Sequence, residues 1–247
     1  DSRMLADANK NSGNEPSATL LEVKGLRIEG LSEKGWQEIV CGVDLKLKRG
    51  EILGLIGESG AGKSTIGLAA MGFARDGCRI TSGEIIFDGI ELCTASEEQK
   101  RKLRGNRISY VAQSAAAAFN PAHRLLNQFA EGPVDHKVMS RTEAKEKGRK
   151  LYRSLDLPDP DNIGERWPHQ VSGGQLQRMM VAMAMSCGPD LIVFDEPTTA
   201  LDVTTQIEVL KTIKEIVTAR NVSAIYITHD LAVVAQLADH LMVLRYG

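Results

Sequence analysis

The feature that most constrains this chain is a glycine-rich segment, "GESGAGKS" at 57–64, which directly follows the apolar run "EILGLI". The apolar run predicts a strand buried on both faces, and the residues after the glycines predict the start of a helix. A strand, a Gly-x-x-x-x-Gly-Lys-Ser loop and a helix in this order bind phosphates, because the curled backbone directs its N–H groups inward. The segment therefore predicts an α/β sheet with a nucleotide phosphate site at its edge.

The parts of this loop have separate predicted roles in holding a nucleotide. Lys63 supplies a full positive charge to the β- and γ-phosphates, and the hydroxyl of Ser64 is a candidate Mg²⁺ ligand. The loop and the first turn of the helix supply the remaining contacts. The predicted nucleotide-binding residues here are Gly57, Glu58, Ser59, Gly60, Ala61, Gly62, Lys63, Ser64 and Thr65.

Size and composition restrict the class of protein. The chain has 247 residues, of which 43% are hydrophobic and 25% are charged, and this suits one or two domains with a substantial core. A formal net charge of -2 gives no overall attraction to nucleic acid or anionic lipid. The four cysteines form no Cys-x-x-Cys pair and predict reduced thiols. Since no apolar run approaches the roughly 18 residues needed to cross a bilayer, we expect any membrane role to be peripheral.

The two ends of the chain differ from its middle. Residues 1–19 are polar without an apolar period and predict a flexible tail, so that the folded domain is expected over 20–247. The chain begins with Asp1 rather than methionine and ends at "VLRYG", where a predicted strand finishes. We therefore expect the natural sequence to continue beyond Gly247.

The first part of the domain is rich in strand signals. "LLEVKGLRI" and the alternating Val43, Leu45 and Leu47 predict half-buried strands, with a turn at Arg49-Gly50 before the phosphate loop. "GEIIFDGIEL" predicts a hairpin around Asp88-Gly89. These segments indicate a small antiparallel β-layer beside the main sheet.

Helices and strands alternate after Gly173. We expect a helix over 174–187, the strand "LIVFD", a helix from Asp202 to Arg220, the strand "AIYIT", a helix from about 231 and the strand "LMVL". Strict alternation predicts a mainly parallel sheet with helices on its faces. In the helix that begins after Asp202, the predicted apolar stripe is Ile207, Leu210, Ile213 and Val217.

Two carboxylates end the predicted strand "LIVFDE". The apolar residues deliver Asp195 and Glu196 to the carboxyl end of the strand, where parallel sheets bind ligands. Asp195 is expected to hold Mg²⁺, directly or through a water. Glu196 is expected to polarise the attacking water, which makes it the candidate catalytic base.

The segment "VSGGQLQR" at 171–178 makes the prediction specific. With the motifs around it, the chain resembles the nucleotide-binding subunit of an ABC transporter, a P-loop NTPase of ABC type whose mainly parallel core carries a small antiparallel β-subdomain and a helical subdomain. The resemblance places that helical subdomain near 114–178. Ser172, Gly173, Gly174 and Gln175 match the family's signature, although Val171 stands where leucine is usual.

The resemblance implies further roles by position. Gln113, at the end of "ISYVAQ", matches the glutamine that touches Mg²⁺ and relays the nucleotide state to the membrane partner. Asp202 matches the loop that contacts a second ATPase subunit. His229 in "ITHD" matches the histidine that braces the γ-phosphate and the catalytic carboxylate. The signature of one subunit then caps ATP bound by Lys63 of its mate, so that ATP closes a head-to-tail dimer and hydrolysis opens it.

A narrower resemblance concerns the transported solute. "WPHQVSGGQLQRMMVAMAM" and "FNPAHRL" are similar to importers of the oligopeptide, dipeptide and nickel class, with Trp167 for tyrosine and Gln170 for glutamate. This implies ATP and Mg²⁺ as cofactors and a peripheral position at the cytoplasmic face of the inner membrane. The implied partners are transmembrane permease subunits, a second ATPase subunit that is the same or paralogous, and, indirectly, an extracytoplasmic substrate-binding protein.

Some predictions stay open at this point. The family stacks adenine on an aromatic residue before the phosphate loop; Trp36 is the candidate, and its indole could equally cover the small β-layer. A soluble ABC-type ATPase acting on nucleic acid is the alternative function, although the chain shows neither a long coiled-coil insertion nor a basic cluster with aromatics. A P-loop kinase or GTPase ranks last, because it would leave the signature and His229 unexplained.

Overall fold

The computed structural model describes residues 18–58 and 62–245, and these form two β-sheets with helices around them. Most of the predicted tail lies outside the described residues, and the first strand begins at Thr19. The strands, in chain order, are β1 Thr19–Ser32, β2 Gly35–Lys48, β3 Ile52–Gly57, β4 Cys78–Phe87, β5 Ile90–Glu91, β6 Ile108–Val111, β7 Leu191–Asp195, β8 Ser223–Thr228 and β9 His240–Leu244.

The helices cluster in the second and third quarters of the chain and then alternate with strands. They are α1 Lys63–Ala69, α2 Glu97–Leu103, α3 Ala115–Ala118, α4 Leu125–Asp135, α5 Arg141–Ser154, α6 Gly173–Ala184, α7 Val203–Ala219 and α8 Leu231–Ala235, with short 3-10 turns at Ile163–Glu165 and Pro168–Gln170. No described residue between β6 and β7 belongs to a strand. The division of this region into a helical subdomain over 114–178 stays a prediction.

The two sheets have different topologies. β2, β1, β4 and β5 pair in this order as an antiparallel sheet, and Asp88 and Gly89 close its last hairpin with φ of 47° and 78°. β6, β7, β8, β3 and β9 form a wholly parallel sheet in this order. The predicted α/β architecture with a small antiparallel layer is therefore confirmed, and β3 and β7 deliver their ends to the same edge.

Alternate residues of the parallel strands build two separate cores. Ile52 and Ile56 of β3 face a cluster with α4 to α8, whereas Leu53 and Leu55 face a cluster with the antiparallel sheet and α1. Burial on both faces confirms the prediction for this strand, because only a central strand sandwiched between layers needs apolar side chains at consecutive positions.

One glycine permits the close approach of α8 to β3. A Cβ atom on Gly54 would overlap Cγ2 of Val234 and lie 2.8 Å from Cδ2 of Leu241. We therefore expect Gly54→Ala to lower the free energy of unfolding by about 1–3 kcal/mol, since overpacking forces neighbouring side chains apart. Urea unfolding followed by circular dichroism measures this change.

A second glycine provides the control for that prediction. Gly132 lies in α4, where an added Cβ would make an ordinary van der Waals contact of 3.6 Å with Oγ of Ser186. Gly132→Ala should be neutral or should raise stability by about 0.5–1 kcal/mol through helix propensity. Equal losses in both variants would contradict the packing explanation.

The predicted apolar stripe of α7 is wrong at one position. Ile207 is 51% exposed, whereas Leu210, Ile213 and Val217 are buried together with Val209 and Ile216. Ile207 lies about 120° around the helix axis from Ile213. Its three-residue spacing from Leu210 suggested a shared face, but this rotation turns its side chain toward solvent. The bounds of α7 agree with the prediction, with Asp202 as its N-cap and Arg220 as its C-cap.

Candidate nucleotide site

The phosphate loop connects β3 to α1, as the sequence predicts. Gly62 precedes α1 with φ of 85°, and a Cβ atom there would be 3.2 Å from the carbonyl oxygen of Ile39. A side chain at this position would therefore be strained by both the backbone conformation and the lack of space. The predicted binding residues Ser59, Gly60 and Ala61 lie outside the described residues, so their contribution stays a prediction.

Lys63 is held by the backbone at the end of β3. Its side chain is 6% exposed, and its Nζ donates hydrogen bonds to the carbonyl oxygens of Gly57 and Glu58 at 2.5 and 2.9 Å. These carbonyl acceptors fix the ammonium group next to the loop backbone. The positive charge needed for phosphate binding is therefore already in place.

Asp195 and Glu196 occupy the end of β7 with different backbone conformations. Asp195 ends the strand, whereas Glu196 has φ of 46° and donates its N–H to the carbonyl oxygen of Ile227 at 2.8 Å. A non-glycine residue in this left-handed region costs on the order of 1–3 kcal/mol and is typical of functional sites. The change of conformation gives the adjacent carboxylates different neighbours.

Glu196 is paired with the predicted histidine. Nδ1 of His229 lies 2.7 Å from Oε1 of Glu196, and the histidine follows the end of β8, the parallel neighbour of β7. A carboxylate oxygen only accepts, so the proton of this bond lies on Nδ1. The pair leaves Oε2 of Glu196 and Nε2 of His229 as the atoms that can meet a water or a phosphate.

A cavity of about 410 Å³ adjoins these groups. On one side it is lined by Lys63, Ser64, Thr65 and Glu196, which the sequence predicts to bind or hydrolyse a nucleotide. The other lining residues come from the antiparallel sheet and the segment before β4: Gly30, Leu31, Ile39, Arg75, Asp76, Gly77 and Cys78, with Gly62 at the loop. The phosphate loop and the candidate catalytic carboxylate therefore share one cavity.

Asp195 has a partner that sequence reasoning missed. The hydroxyl of Tyr110 on β6 donates a hydrogen bond to Oδ2 of Asp195. Burial, together with this carboxylate, raises the pKa of the Tyr110 phenol, so that the hydroxyl remains a donor at neutral pH. The available signal was a tyrosine within the short, largely buried strand "ISYV", because the hydroxyl of a buried tyrosine needs a hydrogen-bond partner.

The signature residues form the start of α6. Ser172 is the N-cap: its Oγ accepts the N–H of Gln175 at 3.2 Å, and the side chain of Gln175 accepts the N–H of Ser172 at 3.0 Å. A Cβ atom on Gly174 would overlap Cγ2 of Thr205, so this glycine permits contact between α6 and α7. Ser172 and Gly173 are exposed, and neither belongs to the residues lining the cavity.

Two further predicted residues lie away from that cavity. Asp202 caps α7 through Oδ1, which accepts the N–H of Thr205 at 3.0 Å, and hydrogen bonds from Thr205 lower the pKa of Asp202. Gln113 is exposed two residues after β6. The structure thus brings together Lys63, Ser64, Thr65 and Glu196 with His229, and leaves Gln113, Asp202 and the signature at other surfaces.

Trp36 lies on β2 and is 42% exposed. The guanidinium carbon of Arg79 is 4.1 Å from the centre of the indole, a cation–π contact, and the tryptophan is not among the cavity-lining residues. Stacking of adenine on Trp36 stays a prediction. The apolar side chains that do line the cavity are Leu31 and Ile39. No local sequence pattern predicts this position, because the pairing of β1 with β2 brings them there.

The three predicted Mg²⁺ ligands carry the type of donor atom that this ion prefers, and of the three only Ser64 lines the cavity. Mg²⁺ prefers hard oxygen ligands and combines one or two protein oxygens with phosphates and waters. The hydroxyl of Ser64, the carboxylate of Asp195 and the amide oxygen of Gln113 are all of this kind. Across 18–58 and 62–245, no group of three or more histidine, cysteine, aspartate or glutamate side chains could hold a metal ion.

Comparison with known proteins identifies the family. Residues 40–199 match the ABC transporter family. The chain is 38% identical over 235 residues to the probable peptide ABC transporter ATP-binding protein y4tR of Sinorhizobium fredii, covering 95% of this chain and 70% of that protein. It is 39% identical over 229 residues to the dipeptide transport ATP-binding protein DppD of Bacillus subtilis, covering 92% and 68%. The chain belongs to the ABC transporter family.

A solved structure supports the fold independently. The ATP-binding cassette MJ0796, described as a dimer in a post-hydrolysis state bound to ADP and Pi, superposes with a TM-score of 0.79 at 24% identity, covering 92% of this chain and 95% of that one. The family match and the relatives confirm the predicted resemblance to ABC nucleotide-binding subunits and argue against a P-loop kinase or GTPase.

Proposed function

We propose that this chain binds and hydrolyses ATP as a subunit of an importer for peptides or related small solutes. The observation that carries the proposal is the Glu196–His229 pair beside Lys63 at one cavity, in a chain of the ABC family. Relatives named for peptide and dipeptide transport support the solute class. Action on nucleic acid gains no support from these relatives.

The residues of the cavity suit attack of water on the γ-phosphorus. Lys63 binds the β- and γ-phosphates and stabilises their developing charge. Glu196 accepts a hydrogen bond from the attacking water through Oε2, while His229 holds Oε1. Ser64 of this cavity would hold Mg²⁺ together with Asp195 and Gln113, which lie outside the cavity lining, and the ion would supply further charge compensation for the phosphates.

We infer that each site needs a second subunit, and the position of the signature supports this inference. Ser172 is exposed and lies outside the cavity of its own chain, so its hydroxyl is available to the γ-phosphate held by another subunit. The dimeric solved structure of the cassette MJ0796 with ADP and Pi supports this arrangement. Asp202, near the start of α7, is proposed to contact the same partner.

Membrane attachment would come from partner subunits. Within the described residues, no helix has both the length and the apolar character that crossing a bilayer requires. We place the chain at the cytoplasmic face of the inner membrane, bound to permease subunits and served indirectly by an extracytoplasmic substrate-binding protein. The ATP-binding relatives of peptide transporters support this position.

A mixing experiment tests the composite site. Lys63→Ala removes the positive charge that binds the phosphates and keeps the signature. Ser172→Asp keeps an N-cap for α6 and adds a negative charge that repels the γ-phosphate. Each purified variant alone should hydrolyse ATP at a background rate. An equal mixture should reach up to about one quarter of the wild-type rate, because each mixed dimer has one complete site. Phosphate release measures the rate.

The matched control makes the same exchange elsewhere. Ser140 caps α5 with the same capping box as Ser172, so Ser140→Asp should leave the rate unchanged. A Ser172→Asp chain that hydrolyses ATP at the wild-type rate would contradict the proposed cap. A mixture that is no more active than its components would contradict completion of one copy's site by another.

A further inference from the structure

Tyr110 connects two neighbouring strands at the edge that holds the candidate metal ligand. It lies in β6, where it pairs in register with Val193 of the parallel strand β7. Its side chain extends past Val193, and the hydroxyl donates a hydrogen bond to Oδ2 of Asp195, the last residue of β7. The tyrosine therefore contacts the side chain that the sequence assigns to Mg²⁺.

This hydrogen bond restricts the carboxylate. The ring of Tyr110 is half-buried and packs against the core cluster shared by the antiparallel sheet and α1, which limits the movement of its hydroxyl relative to β7. Oδ2 of Asp195 is engaged by this donor, and within the described residues Oδ1 makes no hydrogen bond or ion pair that would compete with a ligand. A ligand whose orientation is set in advance loses less conformational entropy when it binds a metal.

The bond also matches the way that proteins support metal ligands. Carboxylates that bind metals are commonly hydrogen-bonded by a neighbouring group, and removal of such a group typically costs about 10–100-fold in metal affinity or activity. A neutral phenol suits this role because it orients the carboxylate without cancelling its charge. Phenylalanine at this position would keep the ring and lose only the donor.

We propose that Tyr110 is a positioning residue that orients the Asp195 carboxylate toward the Mg²⁺ of bound Mg²⁺–ATP. This inference rests on the proposed function, since it assumes that Asp195 meets the metal. In this proposal β6 contributes to metal binding through Tyr110 as well as leading to Gln113. Tyr110 would act only through Asp195 and would not touch the nucleotide.

The test compares the full chain with its Tyr110→Phe variant by two measurements. The first is ATP affinity by calorimetry with Mg²⁺ and with EDTA; the second is binding of Mn²⁺ to the ATP-loaded chain, followed by electron paramagnetic resonance. We expect ATP affinity in EDTA to be unchanged and metal affinity to fall about 10-fold. Tyr152→Phe, which removes a hydroxyl from the buried side of α5, should change neither quantity.

The outcomes separate this inference from the function on which it rests. Unchanged metal affinity in Tyr110→Phe, or an equal loss of ATP affinity with and without metal, would overturn the positioning role. If Asp195→Asn binds Mn²⁺–ATP as the wild type does, Asp195 is not the metal ligand and the proposed site itself fails. A thermal unfolding midpoint of Tyr110→Phe close to that of the wild type would support assigning the weaker metal binding to the missing hydroxyl.

Discussion

Glu196→Gln is expected to lower ATP hydrolysis by about 10²–10⁴-fold while ATP still binds. An amide oxygen can accept the hydrogen bond from Nδ1 of His229, so the geometry of the pair is preserved. The amide cannot take a proton from the attacking water, and the γ-phosphate therefore persists. Because uncleaved ATP is expected to hold two subunits together, the variant should accumulate as an ATP-dependent dimer.

Two measurements check this expectation. Phosphate release at saturating Mg²⁺–ATP gives the rate, and analytical ultracentrifugation with and without ATP gives the state of association. Glu208→Gln, an exposed substitution of the same kind on α7, serves as the control and should behave as the wild type. If Glu196→Gln hydrolysed ATP at the wild-type rate, Glu196 would not be the group that orients water.

Lys63→Ala is expected to weaken ATP binding by about 100-fold, because a hydrogen bond between charged partners is worth roughly 1.5–3 kcal/mol. Lys63→Met distinguishes charge from packing, since methionine retains an apolar stem in this buried position. Both variants should lose affinity for ATP to a similar extent. Isothermal titration calorimetry with Mg²⁺–ATP measures the change.

The control for this prediction is a lysine that binds no phosphate. Lys214 on α7 donates to the carbonyl oxygen of Gln236 and is exposed, so Lys214→Ala should leave ATP affinity unchanged. ATP binding by Lys63→Met within about twofold of the wild type would show that the ammonium group is not the phosphate ligand.

Local sequence patterns were sufficient for the core of the fold. The apolar run of β3, the glycine loop and the strand ending at Asp195 are each recognisable over a few residues, since their signals are burial and backbone geometry. The parallel order that brings β7 beside β8 also explains why Glu196 meets His229. The role of the histidine came from the family resemblance, because no local pattern links residues so far apart in sequence.

Other parts of the site depend on long-range pairing and were not predictable from local patterns. Arg75, Asp76 and Cys78 line the cavity where the chain enters β4 of the antiparallel sheet, and no local pattern predicts that this segment lies beside Lys63 and Glu196. Tyr110 contacts Asp195 only because β6 and β7 are neighbours. Ile207 shows a limit of local patterns: helical spacing identifies an apolar stripe but does not show which edge of the stripe faces solvent.

The close contact between Gly174 and Thr205 has a mechanical consequence. Without a side chain between them, the first turns of α6 and α7 lie against each other, and Asp202 hydrogen-bonds the same Thr205. The two surfaces proposed to meet a neighbouring subunit, at Ser172 and at Asp202, are therefore linked through the contact at Thr205. A shift of one surface is expected to move the other, which would couple the two proposed contacts with the neighbouring subunit.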